Sequence, residues 1–164
     1  MRNKILIAFF SHSGNTRKIA LEIKEKVGGD ILELRPSKPY PREYNKVVSQ
    51  AKSEIKIDYT PELISFDNDI QMYDIVFIGA PNWWNTVVPP VKSFLRQHDL
   101  SGKIIIPYCT HGGGGVGQIF RTIENECKES IIKKGWSTYG DGSSKTGKLI
   151  TEWINEIGGI SHEI

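Results

Sequence analysis

The chain has 164 residues, of which 38% are apolar and 24% are charged, with a formal net charge of +2 at pH 7. This length and composition are typical of one globular domain, spanning residues 1–164, that can bury a substantial core. The charge is too mild to indicate nucleic acid or an anionic membrane as a partner. No apolar run is long enough for a transmembrane helix or a signal peptide, so we expect a cytoplasmic protein.

The two cysteines, Cys109 and Cys127, lack the spacing of a metal site or of a redox-active pair. Cys109 ends an apolar strand-like run, and Cys127 lies in a predicted helix. Both are therefore predicted to be reduced packing residues, which fits a reducing compartment. We predict no metal site.

Apolar strand-like runs alternate with helical patterns along the chain, as is typical of a parallel α/β sheet. The predicted strands lie near 4–10, 31–34, 73–78, 104–109 and, more weakly, within 130–139. The predicted helices end near Val27, cover 42–55, begin at Pro89 or Pro90, cover about 116–129, and end near Ile157. This pattern predicts a three-layer sandwich around a five-stranded parallel sheet.

The segment 36–69 interrupts this alternation. Three prolines break the pattern before the 42–55 helix, whose apolar face is weak. That face consists of Tyr44, Val47, Val48 and Ala51. We predict a polar surface helix here, either a surface addition or an element that docks a partner.

The loop after the first predicted strand reads Ser11-His12-Ser13-Gly14-Asn15-Thr16 and precedes a helical pattern. The start of a helix carries free N–H groups and a partial positive charge, so it suits an anion. Gly14 allows the backbone to bend closely around a ligand, and three hydroxyl groups add neutral donors. The loop therefore predicts a phosphate site. A capped turn with Ser13 or Asn15 as the N-cap is the alternative.

Two further loops are unusual in composition. Pro81-Asn82-Trp83-Trp84-Asn85-Thr86 follows the third predicted strand, and Thr110-His111-Gly112-Gly113-Gly114 follows the fourth. We expect one tryptophan to pack beneath the next helix and at least one to contact a flat ligand. Glycine backbone can approach a planar ring closely. His111 is expected to be a polar contact, and no catalytic side chain is predicted.

Ligands of parallel α/β sheets bind outside the carboxyl ends of the strands, near the point where the strand order reverses. The three loops follow the first, third and fourth strands, so we expect them to meet at that edge. A phosphate site, an aromatic wall and a glycine-lined slot together predict a flat ligand with a phosphate tail.

These three segments, in this order, resemble the flavodoxin family, including small flavodoxin-like proteins with a proline-x-Trp-Trp loop. The resemblance covers nearly the whole chain and implies strand order 2-1-3-4-5 and non-covalently bound FMN. It implies that residues 11–16 bind the phosphate and that residues 81–86 and 110–114 hold the isoalloxazine and ribityl parts. The implied cofactor-binding residues are Ser11, His12, Ser13, Gly14, Asn15, Thr16, Pro81, Asn82, Trp83, Trp84, Asn85, Thr86, Thr110, His111, Gly112, Gly113 and Gly114.

Two departures from the family pattern stand out. Related Trp-Trp loops often continue with glycine, where this chain has Asn85. Asparagine tolerates left-handed backbone better than most residues, so a special turn is still expected. Flavodoxins that act as free electron shuttles are typically acidic around the flavin, whereas this chain is slightly basic, which argues against docking on basic partners.

The first functional hypothesis is an FMN-binding redox protein that exchanges electrons with partner proteins, as a monomer or weak dimer. The cofactor would supply the chemistry and the protein its orientation. The alternative is an FMN-dependent NAD(P)H:quinone-type reductase, with Tyr40, Tyr44 and His111 as substrate contacts. A third hypothesis is a binding module that holds another phosphate compound and no flavin.

Overall fold

A computed structural model describes residues 3–158 and residue 160. The strands are β1 (Ile5–Phe9), β2 (Asp30–Glu33), β3 (Ile75–Pro81), β4 (Ile104–His111), β5 (Ile131–Ile132) and β6 (Trp136–Tyr139). They form one parallel sheet with the order β2-β1-β3-β4-β5, and β6 also pairs with β4. The predicted parallel sheet and its order 2-1-3-4-5 are confirmed.

Helices cover both faces of this sheet. They are α1 (Asn15–Val27), α2 (Tyr44–Lys56), α3 (Pro89–Gln97), α4 (Ile119–Glu126) and α5 (Thr146–Ile157), together with a short 3-10 helix, Ile70–Met72. One buried cluster joins the sheet to α1 and α5, and the other joins it to α2, α3 and α4. The predicted three-layer sandwich is therefore confirmed.

The position of β1 inside the sheet explains why its sequence is apolar throughout. Successive side chains of a strand point to opposite faces of the sheet. Ile7 belongs to the cluster beneath α1 and α5, whereas Leu6 and Ala8 belong to the cluster on the opposite face. Because both faces are covered, no residue of β1 can be polar without losing a buried contact.

Pairing continues beyond the predicted ends of the third and fourth strands. Ala80 pairs with Cys109, and Pro81 pairs with Thr110, so β3 and β4 reach into the segments predicted as loops. Some of the predicted site residues therefore lie within β3 and β4 and not in loops. The predicted helix over 116–129 is shorter than expected and covers only Ile119–Glu126.

The fifth strand is interrupted, which explains its weak sequence pattern. Ile105 pairs with Ile132, whereas Tyr108 pairs with Trp136, so the fifth strand contains one residue more than β4 between these pairs. Such an insertion is a β-bulge, and a glycine commonly permits it. A Cβ on Gly135 would lie 2.5 Å from the Phe120 ring, so a larger residue there would require this ring to move.

Tyr108 of β4 packs against Gly79 of β3 and helps to position the end of the first loop. A Cβ on Gly79 would lie 2.0 Å from Cζ of the buried Tyr108, so the glycine leaves space for that ring. The Tyr108 hydroxyl donates a hydrogen bond of 3.2 Å to the carbonyl oxygen of Thr16. The fourth strand therefore holds the first turn of α1 at the carboxyl edge of the sheet.

Both cysteines are free and buried, as predicted for packing residues. Burial raises the pKa of the Cys109 thiol to about 12 and that of Cys127 to about 11. Within residues 3–158 and 160, no helix is long and apolar enough to cross a membrane. The same residues contain no group of three or more histidine, cysteine or acidic side chains placed to hold a metal ion.

Candidate functional site

The loops after β1, β3 and β4 line one cavity of about 540 Å³ at the carboxyl edge of the sheet. This volume lies within the range of roughly 300–1,000 Å³ that is usual for small-molecule sites. The predicted site residues that line it are His12, Ser13, Asn15, Pro81, Asn82, Trp83, Trp84, Thr110, His111 and Gly112. The structure thus brings residues from all three predicted loops to one place.

The remaining predicted site residues do not line this cavity. They are Ser11, Gly14, Thr16, Asn85, Thr86, Gly113 and Gly114. Several of them instead hold the three loops in shape through hydrogen bonds or through backbone conformation. These contacts help to shape the three loops around the cavity.

The first loop is closed by a serine that the sequence had not singled out as a cap. The Ser11 Oγ accepts hydrogen bonds from the N–H groups of Gly14 and Arg17, each at 3.2 Å. Gly14 occupies the N-cap position of α1 with a φ of 98°, in the left-handed region that favours glycine. The alternative of Ser13 or Asn15 as the N-cap is therefore wrong, and Ser13 instead borders the cavity.

The start of α1 presents donors at the same end of the cavity. The N–H groups of Asn15 and Thr16 belong to the first helical turn, where no carbonyl of the helix can accept them. The helix dipole adds a partial positive charge there. The Thr16 hydroxyl is buried and shares a hydrogen bond of 2.8 Å with the Thr110 hydroxyl. This contact joins the first loop to the end of β4.

The two tryptophans have different environments. Trp83 is half-buried and packs edge-to-face against Phe10 and Tyr40, with ring centroids 5.4 and 5.1 Å away. The His12 ring approaches it at 5.7 Å from another side. The partly buried tryptophan was expected beneath the following helix, but its aromatic neighbours come from the end of β1 and from residue 40. The rings that pack against Trp83 therefore belong to residues tens of positions earlier in the sequence.

Trp84 lies against α2 at the opening of the cavity. Its indole N–H donates a hydrogen bond of 3.0 Å to the carbonyl oxygen of Val48. The ammonium of Lys52 lies 5.1 Å from the centre of the ring, close enough for a cation–π contact. Trp84 therefore connects the loop after β3 to the helix of the interrupting segment.

Trp84 and Asn85 form the centre of a tight turn. Their φ angles are 57° and 60°, and the Thr86 N–H donates to the Trp83 carbonyl at 3.3 Å. Two consecutive left-handed residues are the signature of a type I′ turn. The special turn expected at Asn85 is thus confirmed. A tryptophan in this region stores strain, which is typical of functional loops.

Hydrogen bonds tie this turn to the loop after β4. The Asn82 side chain accepts from the Asn85 N–H at 2.8 Å and donates to the Gly115 carbonyl at 2.7 Å. The Asn85 carbonyl in turn accepts from the Gln118 N–H at 2.6 Å. The tryptophan loop and the glycine loop therefore form one connected wall.

The glycine loop exposes bare backbone. A Cβ placed on Gly112 would meet no protein atom within 4 Å, and its backbone is not in the left-handed region. Neither packing nor conformation within the chain therefore requires glycine at this position, which lines the cavity. The His111 Nδ1 accepts a hydrogen bond of 3.1 Å from the Gly113 N–H.

Helix α2 and the end of β6 also line the cavity, and of their residues the sequence suggested only Tyr44, as a substrate contact of a reductase. The additional lining residues are Tyr44, Val47, Val48, Ala51, Tyr139 and Gly140. The four residues of α2 are the same ones that form its weak apolar face. That face was the available signal, because an apolar stripe on a mostly polar helix must contact something.

Tyr40 positions α2 without lining the cavity. Its hydroxyl donates a hydrogen bond of 2.6 Å to Oε1 of Glu54, and Gln50 donates to the other carboxylate oxygen at 2.8 Å. Burial, followed by the bond to Glu54, raises the pKa of Tyr40 well above its ordinary value. Tyr44 and His111, two of the three substrate contacts suggested for a reductase, border this cavity, and Tyr40 does not.

A second, smaller cavity of about 290 Å³ adjoins the first, and His12 borders both. Its charged lining consists of Arg17, Glu33, Arg35 and Arg42. The carboxylate of Glu33 pairs with both Arg17 and Arg35, so the group keeps an excess of positive charge. An excess of this sign near the first loop favours an anion there.

The family model for flavodoxins matches residues 4–157, which include every loop of the site described above. The chain belongs to the flavodoxin family. A search of curated proteins found no match for this flavodoxin.

Three solved structures are similar in fold to this chain. A protein of Bacteroides eggerthii DSM 20697, proposed to be a flavoprotein, is 29% identical, with a TM-score of 0.82 over 95% of this flavodoxin and 98% of that chain. A second proposed flavoprotein, from Bacteroides uniformis ATCC 8492, is 27% identical, with a TM-score of 0.82 over 93% and 99% of the two chains. A flavoprotein of Lactobacillus acidophilus NCFM, solved in complex with FMN, is 22% identical, with a TM-score of 0.74 over 92% and 98%.

Proposed function

We propose that this flavodoxin binds FMN non-covalently in the 540 Å³ cavity and transfers electrons through it. The observation that carries the proposal is the composition of the cavity lining. The start of α1, two tryptophans and bare glycine backbone all contribute to it. The Lactobacillus acidophilus flavoprotein, which has the same fold, was solved in complex with FMN.

The residues present fit the cofactor. The N–H groups of Asn15 and Thr16, with the Ser13 hydroxyl, would hold the phosphate through neutral donors. The space beside Gly112, which no protein atom fills, would admit the edge of a planar ring. Trp83 and Trp84 would form the aromatic side of the same slot.

When bound, FMN would supply reversible uptake and release of electrons. The protein orients the ring and excludes water from part of it. The Thr16–Thr110 contact and the Asn82–Gly115 contact keep the phosphate end and the ring end of the cavity in a fixed relation. No acid or base from the protein is needed for this role.

Electron transfer to and from partner proteins follows as the proposed activity, with the chain acting as a monomer or weak dimer. The two buried, free thiols support a reducing compartment such as the cytoplasm. The activity, the oligomeric state and the compartment are proposed in addition to FMN binding. Evidence against any of them would not refute FMN binding.

Absorption spectroscopy of the purified protein tests FMN binding. We expect a bound flavin spectrum, or uptake of FMN by the apoprotein, with riboflavin binding at least tenfold more weakly because it lacks the phosphate. A protein that stays colourless and takes up no FMN would refute the proposal. Turnover of NADH or NADPH with an added quinone, above that of free FMN, would point to the reductase alternative instead.

A further inference from the structure

The smaller cavity, of about 290 Å³, lies beside the proposed FMN site at the carboxyl ends of β1 and β2. Its lining comes from the residues that follow β1, from the end of β2 and from the segment before α2. Among the described lining residues, only His12 also borders the larger cavity. FMN placed in the larger cavity would therefore leave most of this lining without a ligand. The volume is just below the roughly 300–1,000 Å³ that is usual for drug-sized ligands, so it suits a smaller molecule.

The inner wall of the smaller cavity is apolar. Phe10, Leu34 and Tyr40 line it, and all three are buried in the protein. Ile64 also lines it, although 52% of this residue is exposed to solvent. Covering such apolar surface is favourable, so the wall suits a ligand with a hydrocarbon body.

Three guanidinium groups line the same cavity, those of Arg17, Arg35 and Arg42. The carboxylate of Glu33, whose side chain is only 13% exposed, orients two of them. One of its oxygens accepts Nε of Arg17, and the other pairs with Nη2 of Arg35 at 2.5 Å. Each guanidinium carries five N–H donors, so both arginines keep donors for a second acceptor.

The charge of this lining favours a ligand with a single negative charge. Apart from the imidazole of His12, three guanidinium groups and one carboxylate leave an excess of two positive charges. The phosphate of FMN in the adjoining cavity would offset much of this excess and would repel a second dianion. Attraction for a further ligand therefore comes from directional N–H donors and from apolar contact. A carboxylate matches such guanidinium donors.

We propose that the smaller cavity binds a small aromatic monocarboxylate. The carboxylate accepts hydrogen bonds from Arg35 and Arg42, and the ring packs against the apolar wall. The site is separate from the FMN site, and its occupation does not depend on FMN binding.

The two cavities share an aromatic wall. Phe10 and Tyr40 line the smaller cavity, and both pack edge-to-face against Trp83, which lines the larger one. A ring that contacts Tyr40 therefore changes the surroundings of the Trp83 indole. This response distinguishes a ligand in the smaller cavity from one bound elsewhere on the surface.

Benzoate is the probe, and benzyl alcohol is its neutral counterpart. Isotope-labelled protein, without FMN and then saturated with FMN, is titrated while amide and indole resonances are followed. We expect benzoate to shift the amides of Leu34, Tyr40 and Ile64 and the Trp83 indole N–H in both forms. The dissociation constant should be about 1 mM or lower, and benzyl alcohol should bind at least about tenfold more weakly. Equal affinities for the two compounds, or shifts confined to another face, would overturn the proposal.

The FMN phosphate and a second phosphate are the competing occupants of the arginines. If benzoate bound the apoprotein but not the FMN-loaded protein, the arginines would serve the FMN phosphate, and the separate site would be refuted. Inorganic phosphate, and acetate, which lacks the ring, should bind the loaded protein more weakly than benzoate. Either one binding as tightly as benzoate would overturn the choice of ligand. A chain that takes up no FMN fails only the earlier spectroscopic test, because the apoprotein titration tests this site by itself.

Replacement of one arginine tests the role of the guanidinium groups. The Arg35 side chain is 64% exposed, so we expect Arg35→Gln to fold normally. Its affinity for benzoate should fall about tenfold, and its affinity for benzyl alcohol should not change. Lys38→Gln is the matched control, because it removes the same charge from the same segment at an exposed residue that does not line the cavity. Equal losses of benzoate affinity in the two variants would show a response to net charge and would refute the site.

Discussion

Gly79 and Gly112 differ in what surrounds them, although both lie near the carboxyl edge of the sheet. At Gly79, an added Cβ would lie 2.0 Å from the Tyr108 ring, so the packing of the protein itself excludes a side chain. At Gly112, an added Cβ would meet no protein atom within 4 Å. The first glycine is explained by the chain alone. The second is explained once a ligand occupies the cavity that it lines.

Gly79→Ala should have the largest effect on stability. The new methyl group would overlap the fully buried Tyr108 ring, which has no space to move, so we expect the free energy of unfolding to fall by about 3 kcal/mol or more. Urea denaturation measures this loss. Gly147→Ala, in α5 with open space around it, is the control and should raise stability by up to about 1 kcal/mol. A loss of the same size in both variants would contradict the packing explanation.

Gly112→Ala should separate binding from folding. We expect FMN affinity to fall about tenfold, about 1.4 kcal/mol, because the methyl group enters space assigned to the planar ring. The apoprotein should unfold at the parent's free energy to within about 0.5 kcal/mol. Fluorescence titration gives the affinity, and denaturation without FMN gives the stability. Parent-like FMN affinity in this variant would remove the ligand explanation for the glycine.

Two serines of the first loop should respond differently to alanine. Ser11 accepts two backbone N–H groups, so Ser11→Ala should lower both the free energy of unfolding, by about 1 kcal/mol, and FMN affinity. Ser13 borders the cavity, so Ser13→Ala should lower FMN affinity and leave the apoprotein's stability unchanged. Calorimetry of both variants, with and without FMN, tests this distinction. If Ser13→Ala destabilised the apoprotein as much as Ser11→Ala, the two assigned roles would be wrong.

Trp84→Phe should have the smallest effect. The variant keeps an aromatic ring at the cavity but loses the N–H that donates to the Val48 carbonyl, so we expect about 0.5–1 kcal/mol less stability. FMN affinity should change little. Thermal unfolding checks the first expectation, and Trp83→Phe is the neighbouring control, whose indole has no comparable bond to α2 among the described contacts. A large loss of FMN affinity in Trp84→Phe would show that the ligand uses the indole N–H.

The parallel sheet and the meeting of the three loops were predictable from the sequence for one physical reason, whereas the strand order was implied only by the resemblance to the flavodoxin family. Parallel strands buried on both faces give continuous apolar runs, and their carboxyl ends share one edge. The runs at 5–10 and 104–109 mark such strands, so the loops that follow them must lie close together. This inference needs no knowledge of individual side-chain contacts.

The role of α2 could not be predicted in the same way. Its apolar face is narrow, and the sequence does not say whether that face packs on the sheet or borders a cavity. The contacts that place it are long-range: the Trp84 indole reaches Val48, and Tyr40 reaches Glu54. Contacts of this kind depend on the folded arrangement of distant segments. The same holds for Trp83, whose ring neighbours include Phe10 and Tyr40.

The interruption between β5 and β6 has a consequence for the behaviour of the chain in concentrated solution. A sheet edge with an unbroken row of free N–H and C=O groups can recruit a strand from another molecule and start aggregation. Here the bulged segment carries Lys133 and Lys134 and divides the outer strand into runs of two and four residues. A second copy therefore finds no continuous template along this edge of the sheet.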